Sequence, residues 1–267
     1  MTLSLLLEAT ELQQHLHDQN VLIVDLCSDE QYNLGHIPGA VHVAPRELVL
    51  GEPPAPGRLP HKQQLDALFS RLGLSEHTHV VCYDDEGGGW AGRLIWTLDV
   101  IGHHSYSYLN GGIHAWRSEG LDTETEPHQA QSQPVSVTID QSQLTSAEDI
   151  MASLDNNDFA IWDARSPGEH NGTKVLAQRG GRIPGAINCE WTSLMDPNRS
   201  LRLREDAKEI LQQLGLTTDK DIVTHCQTHH RSGFTYLVAK ILGYPRIRAY
   251  AGSWSDWGNR DDTPVEV

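Results

Sequence analysis

The sequence lacks a long apolar run: no stretch approaches the ~20 consecutive apolar residues that a membrane-spanning helix needs. Near the N-terminus a short apolar run has no basic residue before it and is interrupted by Glu8, so we expect no signal peptide. The four cysteines include no Cys-x-x-Cys pair, which excludes a zinc ribbon and a dithiol redox motif. From these absences we expect a cytoplasmic protein whose thiols are reduced.

Basic residues are also scarce. There are 20 Lys and Arg against 36 Asp and Glu, which gives a formal net charge of -16. A duplex nucleic acid or an anionic membrane surface would repel such a chain, so we expect neither as a partner. A small anion can bind only at a local site that opposes the overall field. Hydrophobic residues make up 38% of the 267 positions, which is enough for two small globular domains.

Two segments of the chain share one pattern. Residues 21–40 and 159–187 both start with a short apolar run that ends in an aspartate, Asp25 or Asp163, and both contain Ile-Pro-Gly-Ala near their end. The second segment carries an insertion of roughly eight residues between these landmarks. Because both copies have the aspartate, we expect it to hold turn amides rather than to take part in chemistry.

The match continues downstream. Residues 77–85 parallel 220–228, and helical patterns follow at 92–101 and 233–242, each with a glycine after it. The chain is therefore a tandem duplication. Short apolar β-type runs that alternate with helical patterns predict an α/β fold, in which each copy is a mostly parallel sheet with helices on both faces.

A polar, Gln-rich stretch that contains two prolines separates the copies and predicts a linker. We predict an N-terminal domain over residues 1–124, a linker over 125–137 and a C-terminal domain over 138–267. Each domain is small, so we expect the two to meet in a substantial interface. We also expect a monomer, because the duplication already supplies a pseudo-symmetric pairing.

The two copies differ after one pair of matched strands. The strand 221–225 is followed by Cys-Gln-Thr-His-His-Arg at 226–231, whereas the first copy has Asp-Asp-Glu at 84–86. Aligned on the strands, Cys226 falls opposite Asp84. The first loop has no nucleophile and would repel an anion with its three acids. We therefore expect one active copy and one inactive copy.

The loop that begins at Cys226 favours anion binding. A strand that turns sharply into a helix directs backbone N–H groups inward, and the helix N-terminus adds partial positive charge. Such a site lowers the pKa of a cysteine and favours its thiolate, so Cys226 is the predicted nucleophile. The predicted substrate-binding residues are the remaining loop residues, Gln227, Thr228, His229, His230 and Arg231.

Some of these side chains have alternative interpretations. The two loop histidines could line the mouth of the pocket or be exposed loop residues. Together with His225 and Cys226 they could suggest a metal site, but four ligands in six consecutive residues cannot easily converge on one ion, so we predict no metal. Arg165, which occurs only in the second copy, could help an anion approach. Six other residues are expected to be structural: Cys27, Cys82 and Cys189 as buried thiols, and the tryptophans Trp191, Trp254 and Trp257 as core, interface or cleft wall.

The whole chain resembles the tandem-domain rhodaneses, the thiosulfate sulfurtransferases. The resemblance is carried by the duplicated α/β pattern, the Ile-Pro-Gly-Ala signature in both halves, the loop 226–231, which is similar to that of a bacterial subgroup, and the segment Ala-Gly-Ser-Trp-Ser-Asp-Trp at 251–257. It implies a catalytic C-terminal domain and an inactive N-terminal one. It also implies that the Cys226 thiolate takes a sulfur atom from thiosulfate, releases sulfite, and passes the persulfide sulfur to cyanide or a thiol without any cofactor.

The sequence departs from the mammalian pattern at two positions. Thr228 stands where a lysine is typical, and Glu169 stands where a substrate-binding arginine is expected. The physiological donor and acceptor therefore stay open, and the alternatives are a persulfide donor or carrier for a partner protein and a mercaptopyruvate sulfurtransferase. Mercaptopyruvate enzymes typically carry Cys-Gly-x-Gly in this loop, which is absent here. A phosphatase of the cell-cycle type has five residues between Cys and Arg, whereas this loop has four.

Overall fold

The apolar runs that end in Asp25 and Asp163 form equivalent strands of two sheets in the computed structural model, which describes residues 3–267. The N-terminal half has five strands: β1 (Leu6–Leu7), β2 (Val21–Asp25), β3 (Val41–His42), β4 (His79–Tyr83) and β5 (Tyr106–Leu109). They form one sheet in the order β1-β5-β4-β2-β3, and every pairing is parallel.

The C-terminal half repeats this plan. Its strands are β6 (Phe159–Asp163), β7 (Ile187–Asn188), β8 (Met195–Asp196), β9 (Arg202–Leu203), β10 (Asp221–His225) and β11 (Ile247–Ala249). Four of them form a parallel sheet in the order β11-β10-β6-β7, while β8 and β9 pair as a separate antiparallel hairpin. The predicted α/β class with parallel sheets is confirmed.

Ten α-helices connect the strands of the described chain. Those of the N-terminal half are α1 (Ala9–Leu12), α2 (Asp29–Leu34), α3 (Lys62–Arg71), α4 (Gly89–Val100) and α5 (Gly112–Ser118). Those of the C-terminal half are α6 (Ala147–Ser153), α7 (Pro167–His170), α8 (Ala207–Gln213), α9 (Arg231–Ile241) and α10 (Ser253–Trp257).

Side chains that alternate along the central strands pack into two separate cores, one on each face of the sheet. Along β4, Val80 and Cys82 belong to one apolar cluster, whereas Val81 and Tyr83 belong to another. Because successive strand residues point to opposite faces, this division places apolar helices on both sides of the sheet. A strand that is buried on both faces has apolar side chains at successive positions, and residues 80–83 of β4 show this pattern.

The two domains contact each other where α4 crosses α9. Gly92 and Gly233 occupy equivalent positions in the duplicated helices, and a Cβ added at Gly92 would lie 2.2 Å from the carbonyl oxygen of Gly233. Only glycine allows the backbones to approach this closely. Farther along the crossing, Asp99 of α4 accepts hydrogen bonds from Tyr236 and Lys240 of α9. The crossing brings the starts of both helices, and hence both loops, to the domain interface.

Both helices begin two or three residues before the predicted patterns at 92 and 233. In α4 the reason is Asp84, whose carboxylate accepts from the amides of Trp90 and Ala91 and so extends the helix toward the loop.

The predicted linker runs along the N-terminal domain, where the amide of Gln133 donates to the carbonyl of Ser70. No helix within residues 3–267 is long and apolar enough to span a membrane. The domain bounds themselves stay a prediction.

Candidate active site

Cys226 lies directly after β10, at the carboxyl edge of the second sheet, where parallel α/β sheets commonly bind ligands. Its amide donates to the Ser253 hydroxyl at 3.3 Å, and its carbonyl oxygen accepts from the amide of Trp254 at 2.9 Å. The amide of Ser255 then donates to the carbonyl of Gln227 at 3.0 Å. The start of α10 therefore fixes the first two residues of the loop.

The surroundings of the Cys226 thiol favour its ionised form, although the residue is only 1% exposed. Burial by itself would raise the pKa of the thiol, but the charge of Arg231 and hydrogen bonds from Ser232 and from the Thr228 amide outweigh burial and lower the pKa. This is the electrostatic arrangement that the strand–loop–helix pattern predicts.

The other three cysteines have the opposite property. All are buried, and none forms a disulfide. Burial and then the nearby Asp25 carboxylate raise the pKa of Cys27, and burial also raises the pKa values of Cys82 and Cys189. Their thiols are therefore poor nucleophiles, in agreement with the structural role that the sequence predicts for them.

Arg231 is the first residue of α9, and its guanidinium is held by a carboxylate. Its two terminal nitrogens donate to the two oxygens of Glu169 at 2.7 and 2.8 Å. Burial would raise the pKa of Glu169, but Arg231 and Ser166 lower it to about 2, so this 2%-exposed carboxylate is ionised. Burial alone would lower the pKa of Arg231, but Glu169 and Cys226 raise it.

Gln227 and Thr228 continue the loop. The Gln227 side-chain amide donates to the carbonyl of Leu176 at 3.1 Å, which attaches the loop to the segment inserted in the second copy. At Thr228 the loop backbone packs against the N-terminal domain, because a Cβ added at Gly57 would lie 2.1 Å from the Thr228 carbonyl oxygen. The proline-rich segment 51–60 of the first domain thus supports the loop from outside the domain that contains the loop.

The two histidines differ in their surroundings. His229 is fully buried, with Nδ1 2.8 Å from the Ser232 hydroxyl and its ring edge-on to Trp96 of the N-terminal domain, at 4.6 Å between centroids. His230 is partly exposed, stacks on Trp90 at 4.3 Å, and brings Nε2 to 2.6 Å from a Glu86 carboxylate oxygen. Both therefore contact the N-terminal domain, which neither sequence interpretation anticipated.

The equivalent loop of the first copy is already filled by its own carboxylate. The oxygens of the buried Asp84 accept four backbone N–H bonds at 2.8–3.0 Å, from Glu86, Gly88, Trp90 and Ala91. The expectation that three acids simply repel an anion therefore needs correction. Asp84 points inward and occupies the place of an anion, whereas the carboxylate of Glu86 faces His230 of the other domain.

Asp163 and Arg165 form a buried pair beside the loop. Asp163 accepts from the amide and the guanidinium of Arg165 at 2.7–3.0 Å, while Asp25 of the first copy accepts from the amide of Cys27 at 2.8 Å. Both aspartates thus hold turn amides, as predicted. Arg165 is 1% exposed and its guanidinium lies over the Trp254 ring, so its charge is directed at Asp163 and not at an incoming anion.

The sequence interpretation missed several side chains that contact the loop. Ser232 follows Arg231 directly and was available as a hydroxyl at the helix start. Glu169 was noted only as a missing arginine, whereas its position in the structure makes it the partner of Arg231. Trp96 and Gly57 carried no signal, because their contacts with the loop exist only after the domains have packed together.

Comparison with known proteins agrees with the duplication. The family model of the rhodanese-like domain matches residues 8–119 and again residues 146–260. The chain belongs to the rhodanese family. This tandem rhodanese is 54% identical to a thiosulfate sulfurtransferase of Pseudomonas aeruginosa over 99% of this chain and 98% of that protein.

Two further relatives cover nearly all of the rhodanese chain. A thiosulfate sulfurtransferase of Azotobacter vinelandii is 53% identical over 100% of this chain and 98% of its own length. The sulfur carrier protein TtuD of Thermus thermophilus is 32% identical over 95% of this chain and 93% of its own length. The two-domain organisation is therefore shared along the full length of these proteins.

Proposed function

We propose that the protein is a thiosulfate:cyanide sulfurtransferase that carries the transferred sulfur as a persulfide on Cys226. The observation that carries the proposal is the buried Cys226 thiol, whose pKa is lowered by Arg231, Ser232 and the Thr228 amide. The two relatives that are more than half identical along the whole chain bear the name thiosulfate sulfurtransferase, which supports this assignment.

The reaction divides into two displacements at sulfur. The Cys226 thiolate attacks the outer sulfur of thiosulfate, an S–S bond forms to Cys226, and the bond within thiosulfate breaks so that sulfite leaves with the electron pair. Cyanide then attacks the outer persulfide sulfur, forms thiocyanate and restores the thiolate. Charge balances in both steps, and one difficult transfer becomes two easier ones.

The loop residues have separate roles in this proposal. Arg231 attracts the thiosulfate dianion and stabilises negative charge beside the sulfur. Gln227 and Thr228 contribute the loop backbone around the bound anion, and His230 lies at the partly exposed face of the loop. His229 is buried, so in this proposal it contributes through a neighbouring side chain and not by contact with the substrate.

The proposed steps need no cofactor, because the sulfur atom passes directly from thiosulfate to Cys226 and from Cys226 to cyanide. Within residues 3–267 there is no group of three or more His, Cys, Asp or Glu side chains that could hold a metal ion. The absence of a cofactor stays a prediction, as do the cytoplasmic location and the monomeric state.

Intact-mass measurement of the whole chain after addition of thiosulfate tests the function. We expect a gain of one sulfur atom that cyanide removes, together with release of sulfite. Cys226→Ala should gain nothing, and Cys189→Ala, which lacks another buried thiol of the same domain, should behave like wild type. An equal mass gain on Cys226→Ala would refute the assignment.

A second candidate function uses the same persulfide. The relative named as a sulfur carrier protein favours a role in which Cys226 donates its sulfur to a partner protein. Slow turnover with cyanide and with small thiols as acceptors, whether thiosulfate or mercaptopyruvate is the donor, would support the carrier if transfer to one protein thiol is rapid. Fast turnover with thiosulfate and cyanide would support the enzyme.

A further inference from the structure

Two side chains connect the Cys226 sulfur to the N-terminal domain. A hydrogen bond from the Ser232 side chain helps to lower the pKa of the Cys226 thiol, and the Ser232 hydroxyl oxygen lies 2.8 Å from Nδ1 of His229. His229 has no exposed surface, and its ring lies 4.6 Å from the Trp96 ring, between centroids, at an interplanar angle of 87°. Sulfur, hydroxyl, imidazole and indole therefore form one continuous chain of contacts.

The number of hydrogens available fixes the direction of this chain. A serine hydroxyl has one hydrogen to donate and lone pairs to accept with. If Ser232 donates its hydrogen to the thiolate, its oxygen must accept from His229, and Nδ1 must then carry the imidazole hydrogen. The opposite tautomer would place a hydrogen on Nε2, a buried atom that has no hydrogen-bond partner among residues 3–267. Such an unpaired buried donor is unfavourable.

We propose that His229 is a positioning residue, which directs the Ser232 hydroxyl at the Cys226 sulfur and is itself held in place by Trp96 of the N-terminal domain. The inference rests on the proposed role of Cys226. It gives the non-catalytic domain a direct part in the chemistry, because α4 supplies the surface against which His229 is fixed.

The backbone at His229 supports this role. Its φ angle is +57°, in the left-handed region that non-glycine residues seldom adopt, so the loop turns there at some cost in strain. That turn directs the ring into the domain interface. Burial, followed by the charge of Arg93, holds the pKa of His229 well below its usual range, so the imidazole is neutral and remains a constant donor rather than a pH switch.

The charged and titratable groups around Cys226 come from three elements. Arg231 belongs to α9, the buried Arg93 belongs to α4 and interacts with the Cys226 charge, and His225 precedes the cysteine on β10. Burial lowers the pKa of His225 to about 4, so it is neutral near pH 7. Substitution of His229 or Ser232 leaves all three in place, and a change in the Cys226 pKa can then be assigned to the Ser232 hydrogen bond.

The experiment measures the pKa of the Cys226 thiol in the full chain from the ultraviolet absorbance of the thiolate. For each variant, a second protein that also carries Cys226→Ala serves as the blank. His229→Phe should raise this pKa by about one unit, because a hydrogen bond to a charged group is lost. Ser232→Ala should raise it equally. The double variant should show no further rise, because His229 acts only through Ser232.

Conservative variants separate positioning from mere packing. His229→Asn places an amide N–H near the position of Nδ1 and should retain most of the wild-type pKa, whereas His229→Gln places it near Nε2 and should resemble His229→Phe. His77→Phe, at an exposed histidine of the N-terminal domain, should leave the pKa unchanged. If His229→Phe does not fold, the Asn, Gln and Ser232→Ala variants still decide the question.

An unchanged pKa in His229→Phe or His229→Gln, or additive shifts in the double variant, would overturn the proposal. Because the measurement involves no sulfur donor, its outcome is independent of the mass measurement that tests the proposed function. A protein that fails to gain sulfur from thiosulfate can still show the predicted pKa shifts, and the reverse result is equally distinguishable.

Discussion

Arg231 donates to both carboxylate oxygens of Glu169, at 2.7 and 2.8 Å, and the carboxylate is almost completely buried. The cation that faces the Cys226 sulfur therefore has a fixed counter-charge 62 residues earlier in the chain. The pair orients the guanidinium and also offsets part of its positive potential. Glu169 thus controls how strongly the positive potential of Arg231 attracts an incoming anion.

Arg231→Ala should slow the loading of Cys226 by thiosulfate more than it slows the discharge of the persulfide by cyanide. Thiosulfate carries two negative charges and loses a charged contact worth about 1.5–3 kcal/mol, or roughly ten- to a hundredfold in rate constant. Rapid-mixing measurements of the two half-reactions provide the comparison. Arg248→Ala, which removes a partly exposed arginine paired with Asp221, serves as the control. Equal slowing of both half-reactions would contradict the assigned role.

Glu169→Gln should lower the KM for thiosulfate, because the charge of Arg231 would no longer be offset. The substitution should also change the pH dependence of stability. The pKa of Glu169 is lowered from 4.5 to about 2, so its ion pair stabilises the fold fully above about pH 4.5 and is lost as the pH falls toward 2.

Urea unfolding of wild type and Glu169→Gln measures that contribution. We expect a difference in the free energy of unfolding on the order of 3 kcal/mol at pH 7, which narrows as the pH falls below 4.5. Glu205→Gln, at an exposed glutamate paired with Arg199, should show almost no difference at any pH. A difference for Glu169→Gln that does not depend on pH would show that packing, and not charge, holds the pair.

Asp84→Asn should destabilise the N-terminal domain by about 2–4 kcal/mol. The buried carboxylate accepts four amide hydrogens, and an asparagine side chain offers one accepting oxygen and turns its NH₂ group toward the remaining donors. Urea unfolding followed by tryptophan fluorescence checks this. Asp85→Asn, one residue later and partly exposed, should cost far less. Similar losses for both variants would contradict the interpretation that the Asp84 carboxylate occupies the place of an anion in the first loop.

Gly57→Ala should reduce the turnover number although residue 57 lies outside the domain that contains Cys226. The added Cβ would lie 2.1 Å from the carbonyl oxygen of Thr228, so either the active loop or the proline-rich segment must move. Overpacking of this kind costs roughly 1–3 kcal/mol. Steady-state kinetics with thiosulfate and cyanide measure the effect. Glu52→Ala, at an exposed position of the same segment, is the control and should keep wild-type turnover.

The fold was largely predictable because its signals are local. A buried parallel strand is a continuous apolar run, and residues 21–24 of β2 and 80–83 of β4 follow that rule. The start of α4 was predicted three residues late, since its extension depends on the Asp84 side chain. The lowered pKa of the Cys226 thiol was also predictable, because a cysteine at a strand–loop–helix junction has an electrostatic consequence that does not depend on distant residues.

By itself, the sequence determined the duplication, the α/β class, and the difference between the copies at Cys226 and Asp84. Only the tertiary structure decided which groups hold the active loop. Glu169 reaches Arg231 from another helix of the same domain. Trp96 covers His229 and Gly57 supports the loop backbone because α4 and α9 cross closely at a pair of glycines. These partners lie tens to more than a hundred residues apart in the chain, so no local pattern specifies them. Their contacts exist only in the folded chain and, for Trp96 and Gly57, only once both domains have packed.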